Sequence, residues 1–537
     1  MRLLRILLVV VATGACTSAL AQTNALENRS MSLEDCIAIA LQHNLDVKIK
    51  RLNPEINRFT LNASYGAYDP SLSASGEHDY SRLPGGVDPQ GRPYSGTASE
   101  SDRFSTSIQG LLPWGTTYNF GGSMADTYGT SPGFASISTF SGFTTNVVFD
   151  NSNVPSGYYL TTNFQSVPVQ VRRPFENTGG SVGFFQLRQP LLKNFWIDST
   201  RLQIYIDKKN LKISELDLRF QVMNTVRLVD QAYHNLIFAQ ENIKVQQSAL
   251  ELNQRQLAEN KKRVEVGTMA PLDEKQAQSR VAASKADLFA ALGTEETDQR
   301  VLKSLLSDDY SKWEKVAIQP TEKLVAVPQA FNLAESWRKG LSQRPDLIEQ
   351  KLSLDKQDYT IRFQRNQLFP ELDLFGTAGY NASAKEFSGA FDQIGGRDNP
   401  FWSYGAQMTI PLTRTTARNN YRAAKATREQ IELQLKQLEQ NIMIIIENDL
   451  ATANTAFQRV DATREARIYA EAALDAERKK LESGKSTSFV VLQLTKDLTT
   501  ARSEEISALA NYNIALTQLI FDEGTILERH EVKLEIK

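Results

Sequence analysis

Tyr68-Asp69-Pro70-Ser71-Leu72 recurs 300 residues later as Leu368-Phe369-Pro370-Glu371-Leu372. In both copies a proline stops a helical pattern, and an alternating one begins. After the first, Leu72, Ala74, His78 and Tyr80 fall on one side of an extended chain; Ser71, Ser73, Ser75, Glu77 and Asp79 fall on the other. After the second, Leu372, Leu374, Ala378 and Tyr380 oppose Glu371, Asp373 and Thr377, with Phe375 out of pattern. Residues 403–410 set Tyr404, Ala406, Met408 and Ile410 against Ser403, Gly405, Gln407 and Thr409. A ~10-residue dyad with aromatic ends suits a barrel strand with lipid on one face and water on the other. A soluble sandwich gives the same alternation, so periodicity alone does not separate the two.

The repeat runs outward from this junction. Ser32-Leu33-Glu34-Asp35 matches Asn332-Leu333-Ala334-Glu335, and Leu41, Asp46, Leu52, Gly76 and Tyr80 match Leu341, Asp346, Leu352, Gly376 and Tyr380, without a gap. Each half reads as helix, strand, loop, strand, long helix, turn, helix. The first helices are expected over 32–66 and 332–367, with a kink at Pro54. The partner strands, 181–191 and 403–412, end in Gln189-Pro190-Leu191 and Ile410-Pro411-Leu412. The second half joins its strands by a loop of about 20 residues, rich in Gly and Asp; the first spends about 100 residues there. Within that insertion, 81–180, residues 103–126 read as an additional hairpin around Pro113-Trp114-Gly115, and the rest as extracellular loop.

Leu191–Val266 and Leu412–Ser483 contain neither Pro nor Gly and are rich in strong helix formers. About 70 helical residues reach roughly 100 Å. Val222, Val226, Val229, Tyr233 and Leu236 recur at helical spacing, which predicts coiled-coil-like packing on one seam. Both stretches end at a glycine and turn back, through Val266-Gly267-Thr268-Met269-Ala270-Pro271-Leu272-Asp273 and Ser483-Gly484-Lys485-Ser486-Thr487-Ser488-Phe489-Val490, into return helices 272–306 and 489–520. Lys323–Val327 and Val532–Ile536 alternate like small strands of a girdle around the helices.

Arg2, Arg5, an apolar run from Leu3 to Ala12 and Ala19-Leu20-Ala21 make residues 1–21 a signal peptide; the competing reading, lipidation at Cys16, lacks the expected aliphatic residue three positions earlier. Cys36 then has no internal disulfide partner and reads as a packed apolar residue. Ile442–Ile446 is too short and too polar at its flanks to span a bilayer as a helix, so strands must provide any span. The net charge of −2 carries no basic footprint for nucleic acid. His43, His78, His234 and His530 are scattered, with no metal spacing and no hydrolase or nucleotide motif, so neither enzyme chemistry nor a cofactor is expected.

The duplicated opening at Ser32–Asn44, the segment Asn366–Leu372 and the two glycine turns together resemble the TolC-like outer-membrane efflux family, over nearly the whole mature chain. The resemblance implies an α+β membrane protein of two internal repeats. In the family, four strands per chain form a trimeric twelve-stranded outer-membrane β-barrel that continues into a long periplasmic α-helical barrel. The domains follow: a first repeat, 22–330, with helical hairpin 192–306 and equatorial segment 307–330; a second, 331–520, with β-hairpin 371–412 and helical hairpin 413–520; and a C-terminal equatorial segment, 521–537. The implied function is a passive exit duct of a tripartite efflux or type I secretion system. The implied partners are two further copies of the chain, a periplasmic adaptor protein, an inner-membrane pump of RND, ABC or MFS type, and outer-membrane lipid. By the resemblance Gly267, Thr268, Met269, Ala270, Pro271 and Asp273, with Gly484, Lys485, Ser486, Thr487 and Val490, form the periplasmic tip that meets the adaptor and gates the duct. Leu72, Tyr80, Leu372, Leu374, Tyr380, Tyr404, Met408 and Ile410 face lipid. Ser486 and Val490 stand where well-known members carry Arg and Asp, leaving Lys485 as a replacement cation. The alternative is a structural or adhesive trimeric envelope protein that displays 81–180 without transport.

Overall fold

A computed structural model of the chain describes residues 27–87, 91 and 93–533. The signal peptide and most of the C-terminal alternating segment lie outside the described residues. In chain order the elements are β1 (Glu27–Met31), α1 (Leu33–His43), α2 (Leu45–Tyr65), β2 (Ser71–Leu83), the two-residue strands β3 (Gly86–Val87) and β4 (Pro93–Tyr94), β5 (Thr97–Leu111), β6 (Thr117–Phe149) and β7 (Pro155–Pro190). Then come α3 (Ser199–Glu265), α4 (Pro271–Leu306), β8 (Val316–Pro320), α5 (Leu333–Gln343) and α6 (Pro345–Asn366). The chain continues with β9 (Glu371–Ala384), α7 (Phe387–Gly396), β10 (Pro400–Thr409), α8 (Thr415–Glu482) and α9 (Ser488–Asp522). No helix among the described residues is long and apolar enough to cross a membrane.

Two compact units result: residues 1–55, 212–351 and 434–537 form one, and 56–211 with 352–433 form the other. In the helical unit the predicted seam is the core. Val222, Val226, Val229, Tyr233 and Leu236 are almost wholly buried, in one cluster with Cys36, Leu302, Leu306 and Ile318. Burial pushes the Cys36 thiol up to about 12, as suits a packed apolar residue. Ile442 and Ile446 are buried against Leu347 and Leu519, so the short apolar run serves a second core.

Two expectations change here. Each first helix is two helices, broken at Asn44 and Arg344. Asn44 takes an extended ψ of 127°, and its Oδ1 accepts the Asp46 and Val47 N–H groups at 2.9 and 3.2 Å, capping α2. Arg344 precedes Pro345, whose ring pushes it into the extended region, and Pro345 opens α6. Helix α2 continues on both sides of Pro54, the position at which the sequence predicts a kink. The girdle is also different: Lys323–Val327 is irregular. The Val325 and Val327 carbonyls there accept hydrogen bonds from the Asn513 side chain and the Tyr512 hydroxyl at 3.3 and 2.6 Å, which takes the place of a ladder. The paired strands are instead β1 and β8, parallel, from Glu27↔Val316 to Met31↔Pro320.

The second unit is built on one antiparallel sheet of six strands, ordered β10-β9-β7-β6-β5-β2. Four strands were expected. The other two, β5 and β6, are the hairpin around Pro113-Trp114-Gly115, longer than the sequence suggests. Its turn is closed by Gly115 N–H to Leu112 O at 2.8 Å. Most of the presumed extracellular loop is strand as well: β6 and β7 pair from Thr117↔Arg188 out to Phe149↔Pro155. Small and β-branched residues satisfy such a ladder without marking either strand by strong alternation. The loop of the second half holds α7, whose Phe387, Ala390 and Ile394 pack with Met124, Val182 and Ala382.

Candidate functional site

The two faces of the six-stranded sheet follow from its register, because residues opposite one another across a pair share a face. Leu72 opposes Ile108, which opposes Phe120, which opposes Phe185; Phe185 opposes Ala378 and Ala378 opposes Trp402. Met408 opposes Leu372, Ala406 opposes Leu374, and Tyr404 lies across from Gly376. One face is therefore apolar over all six strands. Leu72, Tyr80, Leu374, Tyr404, Met408 and the adjoining Ile410 are exposed on the isolated chain, Tyr404 by 80%, and Leu372 and Tyr380 are half-buried. At one end the apolar face stops at a polar pair, His78 Nδ1 to Asp102 Oδ1 at 2.7 Å.

The opposite face is polar. Ser73 and Ser75 meet Ser107 and Ser105 through their hydroxyls, both at 2.8 Å. Arg188 bridges Asp373 at 2.5 Å and Glu371 at 3.0 Å. Phe375, out of pattern in the sequence, lies on this side over Gly405, where a Cβ would come within 2.8 Å of its ring. A sheet dry on one face and wet on the other has the two-faced character that a barrel wall between hydrocarbon and water requires.

In the helical unit the two glycine turns share one geometry. Gly267 (φ +78°) and Gly484 (φ +72°) take the left-handed conformation. Thr268 N–H reaches back to Arg263 O at 2.9 Å, and Lys485 N–H to Lys480 O at 2.8 Å. The glycine N–H groups bond Val264 O and Leu481 O at 3.0 and 3.1 Å, so both helices end in Schellman motifs. The turns are brought together: buried Asn260 of α3 donates to Ser488 Oγ at 2.6 Å, and to the Asp273 carbonyl at 3.4 Å. Asp273 also accepts the Ala270 N–H on Oδ2 at 3.3 Å, so its carboxylate caps α4. Ser486 Oγ donates to Glu477 Oε1 at 2.5 Å, and this bond, with Lys480 at 3.0 Å, holds the Glu477 carboxyl below its usual range. Thr268, Ala270, Pro271, Lys485, Thr487 and Val490 are exposed; Met269, Asp273 and Ser486 are half-buried. Val266 (76%), Leu272 and Phe489 add exposed apolar surface beside the turns.

The model of the family described as outer membrane efflux protein matches residues 183–307 and 338–521. The chain belongs to the outer membrane efflux protein family. It is 23% identical over 384 residues to the outer membrane protein TolC of Vibrio cholerae, across 70% of this chain and 82% of that one. In fold it is similar to the CmeC outer membrane channel of Campylobacter jejuni, with TM-score 0.61, 14% identity, and 92% and 86% of the two chains covered. It is also similar to the open state of the MtrE outer membrane channel of Neisseria gonorrhoeae, with TM-score 0.59, 16% identity, and coverage of 92% and 89%. As a member of this efflux family the chain is an outer-membrane exit duct with a large periplasmic portion. The family match begins only at residue 183, after β2, β5, β6 and most of β7.

Sequence reasoning missed a buried charge network in this efflux protein. Arg344 donates to Asp522 Oδ1 at 2.6 Å and to Asp346 Oδ2 at 2.9 Å. Asp449 lies beside Asp522, and burial, then Asp522 itself, push the Asp449 carboxyl up to about 7 against the pull of Arg344. Glu349 is likewise pushed up to about 7, first by burial and then by Asp217 and Asp346, while Lys50 opposes. The signal was a departure from the repeat, Arg344 in the place of Asn44.

Proposed function

We propose that three copies of the chain join their sheets into one β-barrel through the outer membrane, and that their helical units form the periplasmic part of the same duct. The observation that carries this reading is the two-faced sheet, which an isolated chain leaves open at both edges. Lipid meets the face of Leu72, Leu374, Tyr404 and Met408; water and cargo pass along the face of Ser73, Ser75 and Arg188. The glycine turns meet a periplasmic adaptor protein. Their exposed apolar residues, Val266, Leu272 and Phe489, beside the exposed Thr268 and Lys485, suit a protein partner. The adaptor in turn connects the duct to an inner-membrane pump, which supplies the energy.

The gate lies at these turns. With Ser486 bound to Glu477 and Asp273 capping its own helix, closure rests on hairpin packing through Asn260 and Ser488, and only secondarily on ion pairs between copies. Single-channel conductance of the purified full chain tests this, with its mass checked by native mass spectrometry. A trimer of small conductance that opens several-fold on Asn260→Ala supports a packed gate at the tip. A trimer that ignores both Asn260→Ala and Asp273→Ala places the gate elsewhere. A non-conducting monomer sinks the duct.

A further inference from the structure

We propose that the barrel closed by three copies of this chain has eighteen strands, six from each copy, with β2 of one copy pairing with β10 of the next. The inference rests on the trimeric reading above and departs from the twelve strands that four per chain imply.

Three observations carry it. First, the hairpin β5–β6 is an integral part of the wall. Strand β5 pairs with β2 from Ser71↔Gln109 to Leu83↔Thr97, and with β6 from Ala98↔Thr130 to Leu111↔Thr117, with no shift of register in either ladder. Second, the hairpin carries the dry and wet faces of its neighbours. Phe104, Ile108 and Phe120 lie on the apolar face, exposed by 55, 42 and 50%, while Ser105 and Ser107 continue the serine rows of β2 on the other. A hairpin lying inside a water-filled passage has no use for an exposed apolar face; one in the wall does.

Third, the two outer strands are built to be paired. Natural sheet edges are usually blunted by lysines, prolines within the strand, or bulges. Strand β10 contains no charged residue, and its only proline is its first residue, Pro400. Strand β2 contains neither lysine nor proline, and its charged residues, Glu77, Asp79 and Arg82, all lie past Gly76, outside its Ser71–Ser75 end. Neither edge ladder contains a bulge, whereas the interior β6–β7 and β7–β9 ladders do. The directions also fit. The six strands alternate from β10 to β2, so a neighbour's β10 runs antiparallel to β2, and the alternation continues through every junction of the ring. Leu72 and Tyr80 then meet the dry side of Trp402, Tyr404 and Met408, and Ser71, Ser73 and Ser75 meet the wet side of Ser403 and Gln407. With strands about 4.8 Å apart and tilted by about 40°, eighteen give a backbone diameter of about 36 Å, against about 24 Å for twelve.

The test is electron cryo-microscopy of the purified full chain, with native mass spectrometry on the same sample. A trimer with eighteen strands in cross-section is the expected result. A trimer with twelve overturns the proposal and leaves the trimeric duct standing; a mass other than three copies overturns the trimeric reading itself. Cysteine pairs check the same point in the membrane. Ser75→Cys with Ser105→Cys should form an intrachain disulfide in most chains. Pairing Ser71, Ser73 or Ser75→Cys with Ser403 or Gln407→Cys should give reducible dimers and trimers in at least one register. Cross-linking of β2 directly to β7, through Ser73→Cys with Gln186→Cys, at the expense of the Ser75–Ser105 bridge would overturn it.

Discussion

The two halves of the chain share their helices and differ at the membrane. Ser32 and Asn332, 300 residues apart, are the N-caps of α1 and α5, and α1 with α2 and α5 with α6 break at residues 300 apart. Helices α3 and α8 have 67 and 68 residues, and both end in the same glycine turn. Between the paired strands, however, the second half inserts only α7, and the first inserts an additional hairpin and a long ribbon. The halves thus agree in helix length and in turn geometry, and they differ in what joins their strands.

The sharpest way to break this comparison is at the position where the halves use different chemistry for the same break. Arg344→Ala strands Asp522, which is nearly fully buried, and should destabilise the chain by about 3–4 kcal/mol. Asn44→Ala, which removes a cap, should cost only about 1–2 kcal/mol. Denaturant unfolding of the two variants side by side checks the ratio; equal losses would mean that the Arg344 network adds nothing beyond the break.

Asp449→Asn probes the same network through pH. A carboxyl held at about 7 binds its proton more tightly in the folded chain than in the unfolded one. Stability is therefore lost as pH climbs from about 4 to about 7, and stays lost above that. The variant should lose less over this window, by roughly 1–2 kcal/mol after allowance for solvent screening, and should melt higher than the parent at pH 8. Melting curves across pH 4–8 decide it; parallel curves would place the proton elsewhere.

Gly267→Ala and Gly484→Ala should each cost about 1 kcal/mol. Nothing lies within 4 Å of either absent Cβ, so the cost is left-handed backbone alone and should be equal in the two halves. A several-fold larger loss at one turn would show that the tips are not equivalent. The smallest effect is expected where the halves differ most. Joining Ser131 to Arg173, cross-strand partners, through an Asn-Gly turn removes the outer ribbon. It should leave the number of copies in the assembly, the melting temperature and the conductance unchanged; a lost trimer would give the ribbon a role in assembly.

The long helices were legible because missing Pro and Gly, helical spacing and terminal glycines all point one way. The strands of the six-stranded sheet were legible wherever one face is apolar and the other polar. The breaks at 44 and 344 were not, since a side chain that caps and one that continues a helix look alike until its partner N–H is placed. In the tip, the glycines were evident, while the brace from Asn260 to Ser488 joins residues that share no pattern. The outer parts of β6 and β7, past residue 126 and before residue 181, escaped notice because each is weakly alternating alone and is specified by its partner.

The parallel pairing of β1 with β8 bears on how the protein is made. In chain order β1 comes first among the described elements, and Val316 of β8 follows the whole of both α3 and α4. The earliest strand therefore travels unpartnered while the first half is threaded out. A strand edge left open in that interval is a template for pairing with another chain, so the stretch between the arrival of β1 and that of β8 is when this fold is most exposed to mispairing.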